Sequence, residues 1–134
     1  MDSNRPGCAV ARQLYDAFLA GDLDAIYQLL HPAIEWELVG PAEVPHFGRY
    51  EGLEGVKAFF ATVGRINHVE SFEVVSYTET EKGACVECLE RGHFEGHPLP
   101  FELRSCQIME LEDGRIRRFR IYQDTARMVD AWRS

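Results

Sequence analysis

Phe101-Glu102-Leu103-Arg104-Ser105-Cys106-Gln107-Ile108-Met109-Glu110-Leu111, then Glu112-Asp113-Gly114, then Arg115-Ile116-Arg117-Arg118-Phe119-Arg120-Ile121-Tyr122-Gln123, is the stretch that decides the architecture. Two β-prone runs flank a turn, which is the signature of an antiparallel hairpin. Side chains two apart share a face of a strand. In the second run Arg117, Phe119, Ile121 and Gln123 share one face, and Arg118, Arg120 and Tyr122 share the other. Phe119 and Ile121 mark the first face as the inward one. In the first run Arg104, Cys106 and Ile108 are assigned inward, leaving Leu103, Ser105, Gln107 and Met109 for the outer face.

Working upstream, residues 84–92 form another strand-like run, introduced by Glu81-Lys82-Gly83, with Val86, Cys88 and Glu90 on its inward face. Residues 72–77 are short and β-prone. The N-terminal half differs. Val10, Leu14, Ala17 and Phe18 recur at helical spacing within residues 9–20, and Ala11 and Tyr15 widen the stripe. Gly21 and Asp22 suit a C′ position and a following N-cap, so a second helix is expected up to Leu30, with Pro32 stopping it. Residues 34–39 are extended in character. Residues 40–52 read as a Gly- and Pro-rich loop, and a third helix carries Val56, Phe59, Phe60 and Val63. Helices gathered early and strands gathered late imply an α+β domain rather than a doubly wound sheet. One domain is expected across residues 1–134, with 1–7 as a loose tail.

Composition narrows the function classes. A formal net charge of −8 opposes nonspecific nucleic-acid binding, which depends on neutralising phosphates. No apolar run reaches the roughly 20 residues that cross a membrane, and the N-terminus lacks the apolar centre of a signal peptide. Four cysteines, Cys8, Cys85, Cys88 and Cys106, include a CxxC spacing. Within a strand that spacing sends the two thiols to opposite faces, so structural thiols in a reduced, cytoplasmic setting are expected.

Three groups of residues carry a family resemblance. Leu14-Tyr15 through Gly21-Asp22-Leu23-Asp24 leads to Trp36-Glu37; Arg49-Tyr50-Glu51-Gly52 precedes Val56-Lys57-Ala58-Phe59-Phe60; Asp113-Gly114-Arg115-Ile116 leads to Phe119-Arg120 and Tyr122-Gln123-Asp124-Thr125. This ordered set resembles the SnoaL-like polyketide cyclase and ketosteroid isomerase group, within the nuclear-transport-factor-2-like class. The resemblance runs from about residue 8 to 127. It implies a cone in which three N-terminal helices pack against a curved, mixed, mainly antiparallel sheet. It also implies a hydrophobic pocket with its mouth near residues 40–50, a small hydrophobic ligand, no cofactor, and a homodimer formed through the outward sheet face. The steroid-isomerase oxyanion pair does not carry over: its tyrosine position falls on Leu14 and its aspartate position near Cys106. The charged triad of limonene-type epoxide hydrolases falls on Val86, Cys88 and Ile121, which cannot replace it.

The candidate chemistry is acid–base. Glu37 sits where the family places a catalytic carboxylate, although alternation with Trp36 and Leu38 also fits a solvated Glu37. Asp124 belongs to the family's Tyr-x-Asp-Thr ending and equally fits an N-cap. Arg104 is expected either to orient a substrate oxygen or to pair internally with Glu90. His46 stands on the presumed entrance loop, as a proton exchanger or a solvent-facing side chain. Tyr15, Phe18, Trp36, Phe47, Phe59, Phe60, Cys88, Glu90, Cys106, Phe119, Ile121 and Gln123 are the expected pocket lining. His93 and His97 lack compact metal spacing, and no Gly-rich phosphate loop, flavin motif or nucleophilic triad is present. Two functions remain open: a cofactor-independent isomerase or cyclase for a small hydrophobic carbonyl compound, and a non-catalytic ligand-binding or dimeric interaction module.

Overall fold

The computed structural model describes residues 6–134. The chain runs α1 (Pro6–Leu19), α2 (Leu23–Gln28), β1 (Leu30–Leu38), β2 (Gly48–Glu51), α3 (Gly52–Ile66), β3 (Asn67–Glu79), β4 (Gly83–Phe94), β5 (Phe101–Glu112), β6 (Arg115–Gln123) and α4 (Thr125–Arg133). Six strands form one curved, unclosed sheet in the order β2-β1-β6-β5-β4-β3. Among the described residues only β1 and β6 run parallel; the other neighbouring strands are antiparallel. Of the expected tail at 1–7, Pro6 and Gly7 belong to α1, and residues 1–5 lie outside the described residues.

Local chemistry explains how the helices dock. Glu79, at the end of β3, accepts from the Gly7 and Cys8 amides at 3.1 and 2.9 Å. Its carboxylate therefore satisfies orphan donors at the α1 N-terminus and complements the helix dipole. A Cβ on Gly7 would lie 1.8 Å from the Gly83 carbonyl oxygen, so this approach demands glycine. Asp22 caps α2, accepting from Ala25 N at 3.1 Å. The apolar faces of α1 and α3 then bury Leu14, Tyr15, Val56 and Phe59 against the inner sheet face.

Sequence periodicity misses three things. The segment at 40–52 contains β2, a four-residue edge strand pairing Tyr50 with Trp36 and Gly48 with Leu38. Strand β3 is longer than residues 72–77, because register shifts at Glu70 and Val75 break its alternation. Most consequential is β5. Leu103, Ser105, Gln107 and Met109 are buried on the inner face, whereas Arg104, Cys106 and Ile108 point outward.

A bulge is the reason. Asp113 and Gly114 have φ of 54° and 76°, as a two-residue type I′ turn requires. Glu112 pairs with Arg115 and Leu111 with Ile116, but Glu110 then pairs with Arg118. Arg117 is the extra residue, and its Nη1 donates to the Ala33 carbonyl at 2.7 Å. Without it Phe119 would stand opposite Ile108 and Ile121 opposite Cys106. With it they stand opposite Met109 and Gln107. A one-residue shift moves a whole strand's side chains to the other face.

Candidate functional site

The inner sheet face and the helices enclose a cavity of about 90 Å³. Helix α1 contributes Leu14, Tyr15 and Phe18; α3 contributes Phe59, Phe60 and Val63; the sheet contributes Trp36, Leu38, Phe72, Phe119 and Ile121. Trp36 is the hub of the aromatic wall, with ring centroids 4.2 Å from Phe119 and 5.6 Å from both Phe59 and Phe60. Into this apolar lining project five polar residues: His46, Asn67, Glu90, Gln107 and Gln123.

Glu90 is the chemically decisive one. On β4 it pairs across the ladder with Phe72 on one side and Leu103 on the other. Its side chain keeps a partial opening onto the cavity while protein surrounds it elsewhere. Among the described residues none gives it a hydrogen bond or an ion pair. Burial penalises the ionised form, and the carboxyl is pushed up from 4.5 to about 7.

His46 is only 2% exposed, although the entrance loop suggested solvent. Its ring stacks on Phe47 at 5.2 Å and meets the edge of Phe94 at 6.0 Å, so the loop folds it inward. Burial lowers its pKa from 6.5 to about 4, which keeps the imidazole neutral at pH 7. Among the described residues its Nδ1 has no partner, and neither have the enclosed Trp36 Nε1 and Asn67 Oδ1. Each orphan costs on the order of 1–3 kcal/mol unless water or a ligand completes it. Three such atoms on residues lining one cavity distinguish it from ordinary core.

A third polar element crosses from α1 to the sheet. Tyr15 Oη donates to Gln107 Oε1 at 2.6 Å, and Gln107 Nε2 donates to Ser105 Oγ at 3.2 Å. Burial raises the Tyr15 pKa, so the phenol stays protonated.

The structure separates the other candidates from the cavity. Glu37 lies on the outer sheet face, 3.5 Å from Arg49, because the alternation that buries Trp36 and Leu38 turns it outward. Asp124 caps α4, accepting from Arg127 N at 3.3 Å and pairing with the Arg127 side chain. Arg104 is exposed on the outer face, 3.8 Å from Glu87, so the expected internal pair with Glu90 does not form. Cys106 also faces outward, with its Sγ 3.0 Å from that of Cys85. Phe47 and Cys88 are buried without bordering the cavity. Tyr15, Phe18, Trp36, Phe59, Phe60, Glu90, Phe119, Ile121 and Gln123 do border it. Gln107 and Asn67 were not anticipated: the first follows from the bulge, the second from the added length of β3. His31, Glu112 and Asp113 bring ligand atoms within 4.8 Å of one another, outside the cavity. There the His31 ring already accepts from Ala33 N at 3.0 Å and meets Glu112 at 3.1 Å.

An open, curved sheet wrapped on helices around an apolar cavity defines the nuclear-transport-factor-2-like class. Within it the chain belongs to the SnoaL-like domain family, whose sequence profile matches residues 11–119. No curated protein matches the chain's sequence. Among solved structures it is similar to a nuclear-transport-factor-2-like protein from Burkholderia thailandensis, with TM-score 0.86 and 21% identity over 96% of this chain and 98% of that one. It is also similar to a protein from Rhodopseudomonas palustris described provisionally as an isomerase, with TM-score 0.78 and 18% identity over 97% of each chain. A third is TerC co-crystallised with polyporic acid, with TM-score 0.79 and 20% identity over 97% of this chain and all of that one. At these identities the likeness is one of fold. Among the described residues no helix is long and apolar enough to cross a membrane.

Proposed function

We propose that the protein is a cofactor-independent acid–base catalyst of the isomerase or cyclase type, acting on a small hydrophobic carbonyl compound. The observation that supports this is Glu90, a carboxyl with no hydrogen-bond or ion-pair partner among the described residues, in an aromatic cavity and held near pKa 7. A group titrating at the working pH is both a competent base and a competent acid, which maximises proton shuttling. Its carboxylate takes a proton from carbon next to a carbonyl, giving an enolate and neutral Glu90. Returning the proton at another carbon completes an isomerisation. Attack of the enolate carbon on a second carbonyl carbon completes a cyclisation, and Glu90 then protonates the new alkoxide. Neutral His46 suits a hydrogen-bonding role better than proton exchange, given its low pKa.

The cavity limits the substrate. At about 90 Å³ it is smaller than the ~150 Å³ that accommodates benzene in an engineered apolar cavity. A short-chain ligand fits this scale as it stands, and a single ring requires the wall to move outward. Provisional isomerases and a complex with an organic acid among the similar structures agree with this chemistry without specifying it. The outer sheet face, where Arg118 meets Glu35 and Arg120 meets Glu110, both at 3.1 Å, is the surface proposed for a second copy.

The test is isomerisation of 3-cyclohexenone to its conjugated enone, followed by ultraviolet absorbance, and exchange of its α-protons with deuterated water. Replacing Glu90→Gln should lower both rates at least ~100-fold, the lower range for removing a general acid–base group. Unchanged rates in that variant would sink the proposal.

A further inference from the structure

The CxxC spacing of Cys85 and Cys88 sends its two thiols to opposite faces of β4, but strand register creates a different pair. Cys85 on β4 stands opposite Ile108, and Cys106 on β5 stands opposite Glu87. The two cysteines are therefore diagonal neighbours on the outer sheet face. Diagonal neighbours lie roughly 7–8 Å apart, near the upper limit of what a disulfide spans. Here the side chains close that gap, and Sγ meets Sγ at 3.0 Å. Forming a bond from there asks each sulfur to move only about 0.5 Å. Both thiols are free and half-buried, whereas Cys8 and Cys88 are buried.

Access is the second observation. Cys85 and Cys106 line an open groove of about 520 Å³, together with Ser76, Thr78, Arg104 and Tyr122. That volume lies within the roughly 300–1,000 Å³ of small-molecule sites. Arg104 meets Glu87 at 3.8 Å and is otherwise largely exposed, so a cation borders the thiols. The pair lies across the sheet from the cavity, and the inference stands apart from any role of Glu90.

We propose that Cys85 and Cys106 form a reversible disulfide bridge across the outer sheet face, made by exchange with a small disulfide. Burial, and then the neighbouring Cys106 thiol, push the Cys85 pKa up from 9.0 to about 11. Few Cys85 thiols are then ionised at pH 7, and the first attack falls to Cys106. Its Sγ gives up a proton to water and bonds to one sulfur of the small disulfide. The S–S bond of the reagent breaks, and one thiolate leaves and takes up a proton. Cys85 then loses its proton and attacks Cys106 Sγ in the mixed disulfide, which releases the second small thiol and closes the bridge. Two protein thiols are oxidised, and one small disulfide is reduced to two thiols.

The probe is oxidised glutathione, added to the reduced full-length protein at pH 8.5 and followed by mass spectrometry with peptide mapping. Wild type should lose two hydrogens in mass and carry the Cys85–Cys106 link within one chain. The glutathione adduct should stay below about a tenth of the protein, because the second thiol acts at a high effective concentration. Cys85→Ser should stop at an adduct on Cys106, and Cys106→Ser should form no bridge. The bridged residues are 21 apart in sequence, so the bridge should raise Tm by roughly 5–10 °C. Dithiothreitol should reverse that shift, and neither serine variant should show it. An adduct that persists on the wild type would overturn the inference, as would a link between two chains or one involving Cys8 or Cys88. So would folded protein that stays fully reduced, or a bridged protein that melts no higher than the reduced one.

Discussion

Replacing Glu90→Gln should make the protein more stable at alkaline pH while removing its proposed activity. The folded carboxyl titrates near 7 against 4.5 when unperturbed. A raised carboxyl pKa means that the folded state holds its proton more tightly than the unfolded chain. Stability from this group is therefore complete below about pH 4.5 and is lost as pH rises through about 7. The shift corresponds to about 3 kcal/mol when fully developed. Glutamine mimics the protonated form in shape and neutrality, so the variant should match wild type within about 1 kcal/mol at pH 5 and exceed it by about 3 kcal/mol at pH 8. In a domain of this size that gain is on the order of 10 °C in Tm. Urea unfolding followed by tryptophan fluorescence at the two pH values measures it directly. An equal stability difference at pH 5 and pH 8, or a variant less stable at pH 8, would refute the premise that Glu90 is ionised against its surroundings.

His46 produces the opposite dependence. Its folded pKa of about 4 lies below 6.5, so the unfolded chain binds the extra proton and stability falls as pH drops through that interval. The two effects oppose each other across about pH 4.5 to 6.5, and His46→Leu should reveal stability that increases on acidification in urea titrations. Glu37→Gln and Asp124→Asn should leave deuterium exchange within about twofold of wild type, because their side chains lie away from the cavity; a large loss in either would return catalysis to them. Asp124→Ala should cost about 1 kcal/mol through loss of the α4 cap, measured by thermal unfolding. Leu103→Ala, at a fully buried site, should cost about 2–5 kcal/mol, whereas Ile108→Ala should cost clearly less. Deleting Arg117 should abolish a cooperative unfolding transition, since it asks β5 to bury Arg104.

The α+β architecture was legible because its elements have unmistakable periods: the helical stripe through Leu14 and Phe18, and the alternation around Phe119 and Ile121. The cavity's aromatic wall followed from the same two patterns. What alternation could not supply was registration between strands. Glu90 borders the cavity, but reading β5 as a regular hairpin mate of β6 exchanges Gln107 for Cys106 and gives Glu90 an arginine it does not meet. Glu37 illustrates a different limit, since resemblance favoured it while its own neighbours, Trp36 and Leu38, argued for the outer face. The burial of His46 depends on how residues 41–47 fold back over the aromatic side chains of Phe59 and Phe94, a tertiary fact with no local period.

The bulge at Arg117 has a bearing on how this chain is compared with its relatives. Strand faces have only two values, so hairpin length acts there as a parity bit. A relative shorter by one residue at that point would present the other half of its β5 to the interior. Its buried residues would then correspond to Arg104, Cys106 and Ile108 in an alignment without a gap, and a conserved role could look lost when only its column had moved. Matching site residues across the family therefore begins with counting residues between the Asp113-Gly114 turn and Phe119, before any side chain is compared.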